Sequence, residues 1–266
     1  MKKAKKIFYL FKTILLPILL ITTISIMLSS IFSLIDYEGN GFIINLSSLN
    51  IKHPRRVACI VLFIVQLYIM RKINIQSEKE YAPTNIYGDY NVIIYYIAWL
   101  FVGYKKVNLK MKPIPLQFQL LSINKLECFD DTEYSDKKYK YKVNHTGKLG
   151  KDTKQINIIV SDTYPITDDK IPKILIDNYT INITREEEKG IRVKSHELIE
   201  LLIKEVQKTK QYCKTYNLFL STPASTNMSI FNQVFHTERD KFILNIYQQD
   251  SENEFKFKDT PSTIKC

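Results

Sequence analysis

The 266-residue chain has only 7 glycines and a single tryptophan. So few glycines exclude a glycine-rich phosphate loop, whose backbone must turn tightly and approach its anion closely. Cysteine and histidine are scarce and dispersed. Cys59, Cys128, Cys213 and Cys266 form no C-x-x-C pair, and His53, His145, His196 and His236 complete no ligand spacing with them. That pattern supports neither a disulfide framework nor a zinc site, and no cofactor is expected. Catalytic signatures are missing as well: G-x-S-x-G, Walker A, H-E-x-x-H and the kinase set do not occur. Ser161 with Asp162 and the run Glu186-Glu187-Glu188 come nearest to catalytic carboxylates, but consecutive glutamates read as a solvated face. The chain is not expected to be an enzyme.

Charge is absent altogether from Thr13 to Ile35, a run of 23 residues. At about 1.5 Å per residue it crosses a hydrocarbon core of about 30 Å. It is too long for a signal-peptide core of about 7–15 residues and lacks a small-x-small cleavage site, so it reads as a retained span. A second apolar run, Val57 to Met70, is shorter and lies between Arg56 and Arg71. Arginines at its ends snorkel into the headgroups and extend it to a span over about residues 56–72. Residues 1–75 are therefore expected to form a helical hairpin in the bilayer, with a loop around Asp36 to Pro54. A third apolar segment, Val92 to Tyr104 with Trp99, suits an interface within a linker over 76–112. Its alternative, a third crossing, would move everything after Lys105 to the other side of the membrane.

The formal charge of +11 clusters beside these segments: Lys2, Lys3, Lys5, Lys6 and Lys12, then Arg55, Arg56, Arg71 and Lys72, then Lys105, Lys106, Lys110 and Lys112. Basic residues next to apolar spans set topology and attract anionic lipid. A basic face for a phosphate-bearing ligand stays open beside that reading.

From residue 113 to 266 the pattern is that of a water-soluble α/β domain. Pro115 to Leu121 alternates like a strand, and Glu127 to Lys151, mixed in charge, reads as a solvated loop or exposed hairpin. Ile156–Val160, Tyr179–Ile183, Tyr216–Leu220 and Phe242–Tyr247 read as strands. A short helix over Asp168–Ile174, a long amphipathic helix from His196 to Tyr216 capped by Ser195, and a helix around Met228–Val234 alternate with them. Strand–helix alternation predicts a mostly parallel sheet. Ligands of such sheets bind beyond the carboxyl ends of the strands, here Ser161-Asp162-Thr163 and Ser221-Thr222-Pro223-Ala224-Ser225. On the residues alone, the second loop either caps the following helix or offers that helix N-terminus to an anion.

Ile156–Pro165, the helix ending near Tyr216, Asn217-Leu-Phe-Leu-Ser-Thr-Pro-Ala-Ser225 and Leu244–Tyr247 resemble, in that order, the C-terminal half of the SAVED domain. The resemblance spans residues 115–257 and is sharpest over Leu218–Ser225 with Tyr247. SAVED domains are related to CARF (Rossmann-like) folds and sense cyclic oligonucleotides in bacterial CBASS anti-phage systems. The resemblance implies a membrane effector that binds such a messenger, forms homo-oligomers and disrupts the inner membrane, with no DNA or RNA polymer as partner. It implies a cytoplasmic position for the soluble domain, which, with the N-terminal lysines inside, favours an even number of spans. It also implies that Ser161, Asp162, Thr163, Ser221, Thr222, Pro223 and Ser225 face the ligand, with Lys194 or Arg185 supplying charge. The chain has room for about one of the two halves of a complete SAVED domain, so a ligand would be shared between protomers. The competing reading is a membrane-anchored scaffold or mobile-element protein without a nucleotide ligand.

Overall fold

The computed structural model describes residues 7–37, 54–81, 90–131, 138–186, 190–192, 194–236, 241–250 and 254–266. Lys2, Lys3, Lys5 and Lys6, most of the hairpin loop, and Glu187 and Glu188 lie outside the described residues. The chain divides into two compact units, residues 1–81 with 93–106, and residues 82–92 with 107–266.

The first unit is built on two long helices. The chain is helical from Ile7, passes through a π turn at Phe11–Leu15, and continues as α1, Leu16–Tyr37. The π turn immediately precedes Pro17, whose ring would otherwise collide with the carbonyl four residues earlier. The second helix, α2, spans Pro54–Gln76 and is longer at both ends than its apolar run. Ile7–Leu28 and Cys59–Gln76 are each long and apolar enough to cross a membrane. Their aliphatic residues point outward, with Ile7, Leu19, Leu20, Ile60 and Ile64 exposed. After a two-residue strand β1 (Glu80–Tyr81), helix α3 (Val92–Ile97) runs into a π turn at Ala98–Val102. At about 1.5 Å per residue its 11 helical residues, Val92–Val102, reach roughly half of a bilayer core. Tyr95, Ala98 and Val102 are buried instead. Gly103 ends the turn at φ +83°, where a Cβ would stand 2.6 Å from the Arg71 carbonyl oxygen. Asn74 Nδ2 donates to the Val102 carbonyl at 2.6 Å and fastens α2 to the same turn.

In the second unit, residues 114–123 form a helix rather than the expected strand: α4 spans Ile114–Ile123. Pro115 fits a first helical turn, where its missing N–H costs nothing, and Asn124 closes the helix in the left-handed region. An apolar run this short satisfies either period. Short strands β2 (Lys106–Asn108) and β3 (Glu127–Phe129) pair with each other.

The main sheet holds β4 (Tyr141–Thr146), β5 (Ile156–Ser161), β6 (Tyr179–Arg185), β7 (Thr215–Ser221), β8 (Ile243–Ile246) and β9 (Ser262–Lys265) in the order β4-β6-β5-β7-β8-β9. It is mixed rather than mostly parallel. The four central strands are parallel, and β4 and β9 are antiparallel edges. Both edge strands are short and largely polar, which hides them from a reading based on apolar runs. Helix α5 (His196–Thr209) starts where expected, with Ser195 Oγ accepting from Leu198 N–H at 3.3 Å, but stops before Lys210 instead of reaching Tyr216. Short 3₁₀ turns stand at Asp168–Lys170 and Lys173–Leu175. Helix α6 (Ala224–Ser229) begins directly after Pro223 and continues in a π turn, Ile230–Phe235.

The two faces of the sheet differ. Ile158, Val160, Ile181, Leu218 and Leu220 belong to one apolar core with Phe118 of α4, Leu198, Leu202 and Val206 of α5, and Phe231 and Phe235. Each such side chain contributes about 1.5–3 kcal/mol on burial. On the other face Ile159 and Phe219 pack with Ile166, Ile171, Leu175, Tyr247 and Phe257, carried by turns. Tyr247 stacks on Phe219 at 4.7 Å between centroids. Toward the amino ends of the strands this face is polar, and one row forms a ladder of side-chain hydrogen bonds. Asn157 donates to Thr180 at 3.2 Å, Asn217 to Asn157 at 3.0 Å, Asn245 to Asn217 at 2.9 Å and Thr263 to Asn245 at 2.9 Å.

Candidate functional site

The register of the sheet places the candidate loops together. Ser161 is paired with Ser221 across β5 and β7, so both chains leave the sheet at one level. They are then tied to each other: Thr163 N–H donates to the Ser221 carbonyl at 2.8 Å, and Tyr164 N–H to Ser221 Oγ at 2.8 Å. Gly190 N–H reaches the Thr163 carbonyl at 2.8 Å and brings the segment after β6 to the same end. Beyond these strand ends lies a cavity of about 280 Å³. Thr163, Ser221, Thr222 and Pro223 line it, together with the cations Lys110, Lys112 and Arg192 and the carboxylate of Asp130.

The three cations were not singled out in the sequence as ligand residues. Lys110 and Lys112 read there as membrane-flanking charge, and Arg192 follows a run of acids. Lys112 is buried and its ammonium donates to the Asn108 carbonyl. Lys110 Nζ lies 3.5 Å from Asp131 Oδ1, and Arg192 is exposed. Gln117 of α4 holds the floor of the cavity: its Nε2 donates to the Lys112 carbonyl at 2.8 Å, and its Oε1 accepts from Asn227 Nδ2 at 2.8 Å. Asn227 Oδ1 in turn accepts from the Thr222 hydroxyl, so the rim of β7 is braced through α6 to α4.

The remaining expected residues stand elsewhere. Ser161 Oγ accepts from Ile166 N–H at 3.0 Å and closes the turn beneath the rim. Ser225 faces an adjoining hollow of about 240 Å³ with Lys194, Phe129 and Asp130. Its N–H donates to Asp130 Oδ2 at 3.0 Å, so a carboxylate of the chain already occupies the first turn of α6. That is the position where an incoming anion would be favoured.

Asp162 and Arg185 are buried together behind the cavity. Arg185 is fully enclosed; its Nη1 lies 3.8 Å from Asp162 Oδ1, and Tyr139 covers it with its ring centroid 4.9 Å from Cζ. Arg185 Nη2 donates to the Ile191 carbonyl at 2.7 Å, next to Arg192 on the cavity rim. Tyr141 donates to Asp162 Oδ1 at 2.8 Å. Burial raises the Asp162 carboxyl above its ordinary range, with the Tyr141 hydrogen bond and the Arg185 charge opposing it. The Tyr141 hydroxyl is likewise pushed up, chiefly by burial. Arg185 thus positions the two loops that frame the cavity and does not face it.

A larger hollow, about 570 Å³, lies at the opposite end of the strands, where Lys148 and Lys154 are offset by Asp152 and Asp177. Among the described residues no cluster of three or more His, Cys, Asp or Glu side chains is placed to hold a metal ion.

Residues 1–264 match the family described as "SMODS- and Ubiquitin system-associated 2TM effector domain" (SUa-2TM). No curated protein matches the sequence. Among solved structures the chain is similar to the Acinetobacter baumannii Cap4 SAVED/CARF-domain containing receptor. In that receptor's complex with the cyclic trinucleotide 2'3'3'-cAAA, 78% of this chain aligns with 56% of the receptor at TM-score 0.45 and 9% identity. In the complex with 3'3'3'-cAAA the values are 65% and 42%, at TM-score 0.42 and 11% identity. The chain thus spans about half the length of that receptor.

Proposed function

The chain belongs to the family of SMODS- and ubiquitin system-associated 2TM effector domains, and from that premise we propose that it is gated by a cyclic oligonucleotide. It is a multi-pass membrane effector, with two helices able to cross a bilayer and an α/β domain outside them. The observation that carries the proposal is the cavity at the carboxyl ends of β5 and β7, where Lys110, Lys112 and Arg192 converge on hydroxyls and small residues. Open α/β sheets bind their ligands at this end. Three cations against one carboxylate, Asp130, leave the cleft net positive, and Arg and Lys meet phosphate oxygens with charge-assisted hydrogen bonds.

At about 280 Å³ the cavity falls just below the roughly 300–1,000 Å³ of sites that enclose a drug-sized ligand. A cyclic oligonucleotide exceeds it, so the rest of the ligand is covered by a second copy of the chain. The messenger then acts as the link between cytoplasmic domains, and gathering the domains gathers the spans tethered to them. Crowded spans breach the inner membrane. A phosphate seated at the first turn of α6 takes the place of Asp130, a carboxylate held there by the same N–H group. DNA and RNA polymers are not partners in this scheme.

The test is thermal unfolding of the full chain in nanodiscs with cyclic di-, tri- and tetranucleotides, including 3'3'3'-cAAA and 2'3'3'-cAAA. A binder present at 100 times its dissociation constant adds about 2.7 kcal/mol of stability. Arg192→Ala, at an exposed position, is expected to weaken binding by about 10- to 100-fold without lowering the unliganded Tm, as the loss of one charge-assisted contact requires. No stabilisation by any member of the panel sinks the proposal and leaves a membrane-anchored scaffold.

A further inference from the structure

Gln66 stands near the middle of α2, within the stretch from Cys59 to Gln76 that is apolar enough to cross a membrane. Lipid tails offer a carboxamide no hydrogen-bond partner, so an amide at this depth is satisfied by protein or not at all. Ser25 of α1, fully buried, supplies part of the answer. Its Oγ lies 2.9 Å from Gln66 Oε1 and 2.8 Å from the Ile21 carbonyl. The hydroxyl has one proton and a single site facing Gln66. Whichever way round the carboxamide is set, one of its ends, N–H₂ or C=O, therefore has no partner in the chain among the described residues.

The surroundings of that group are open. Gln66 is half-buried and lines a hollow of about 380 Å³ on the side of the helix pair, with Pro17, Leu20, Ile21, Ile69 and Ile73. The walls are apolar apart from Asn74, whose amide already donates to the Val102 carbonyl. Such walls around one unsatisfied amide fit a helix that brings a polar group, whereas an acyl chain fills the space and leaves the amide unpaired. We propose that this hollow seats a membrane span of a second copy of the chain, which completes the hydrogen bonding of Gln66. The inference rests on the effector reading above and names the contact through which its spans assemble. In a like-with-like contact each Gln66 meets its twin, and a carboxamide can both donate to and accept from another.

The experiment is energy transfer between donor- and acceptor-labelled full-length chains in lipid vesicles, followed as the protein-to-lipid ratio is raised without nucleotide. Gln66→Leu is expected to weaken association by about 3- to 30-fold, the range that membrane-buried polar contacts span. Ser25→Ala removes the bond inside the hairpin but keeps the carboxamide, and is expected to leave association unchanged or stronger. Gln66→Asn, which keeps the amide, is expected to fall between wild type and Gln66→Leu. Association of Gln66→Leu equal to that of wild type overturns the proposal. So does equal weakening by Gln66→Leu and Ser25→Ala, since Gln66 would then serve only its own hairpin while lipid fills the hollow. Dye release on adding cyclic nucleotide, measured on the same vesicles, separates the two readings. Nucleotide-independent association through Gln66 with no release under any nucleotide defeats the effector scheme and spares the contact. Full release from Gln66→Leu vesicles defeats the contact as the route of assembly and spares the scheme.

Discussion

The two units of the chain solve the same packing problem with opposite surfaces. In the first, Ile7, Leu19, Ile60 and Ile64 face outward, while polar side chains such as Ser25 and Asn74 turn inward and are held by Gln66 and Val102. In the second, Ile158, Leu202 and Leu218 are enclosed and charge is largely outside, with Lys112, Glu205 and the Asp162–Arg185 pair as exceptions. Solvent explains the inversion. Water rewards burial of apolar area, whereas a bilayer penalises only unpaired polar groups, so hydrogen bonds carry relatively more of the helix pairing there. Removing a single polar contact should therefore have unequal consequences in the two units.

The largest effect is expected from Arg185→Ala. It leaves Asp162 buried without its cation and frees the Ile191 carbonyl, at about 3–5 kcal/mol. A fall of roughly 10 °C or more in the Tm of the α/β unit follows, by the usual scaling for a domain of about 150 residues. Asn217→Ala comes next, because it strands Asn157 and Asn245 in the ladder, and about 2–3 kcal/mol is expected in urea titration. In the membrane unit, Ser25→Ala should cost only about 0.6 kcal/mol in unfolding from detergent, the average for such bonds. A cost there as large as that of Asn217→Ala would break the comparison. The smallest effect is a pH slope. Asp162 has a raised carboxyl in the folded state, so its contribution to stability is complete at acid pH and is lost as pH rises through its folded-state titration. The Tm of Asp162→Asn relative to wild type should accordingly increase as pH rises through that range.

How much of this was legible in the sequence depended on how local the cause was. The uncharged run from Thr13, the Ser195 cap and the β-branched strands Ile156–Val160 and Tyr179–Ile183 are written in neighbouring residues, and the structure keeps them. Pro115–Leu121 misled because Leu116, Phe118 and Leu120 alternate while lying on a helix whose neighbours bury it nearly all round. The sequence lets the long helix run past Thr209 because no glycine or proline marks its end. The loops after β5 and β7 stand out in the sequence as a candidate site by their position alone. Lys110, Lys112 and Arg192 were not, since only the folding of distant segments brings them to one cavity. Asp162 and Arg185 carried the reverse signal: charged residues expected at a ligand surface are spent on holding the loops behind it.

The row of asparagines and threonines across the sheet bears on how a shared ligand could be held. Thr180, Asn157, Asn217, Asn245 and Thr263 interlock side chain to side chain across five strands. Sliding β5 along β7 would set an amide against Ile159 or Phe219, so these strands keep step like teeth on a common rack. The carboxyl ends of β5 and β7 then finish level at Ser161 and Ser221, and the rim formed by Thr163 and Thr222 is held as a single edge. Two such edges brought face to face would clamp a ring-shaped anion from both sides without either sheet having to deform.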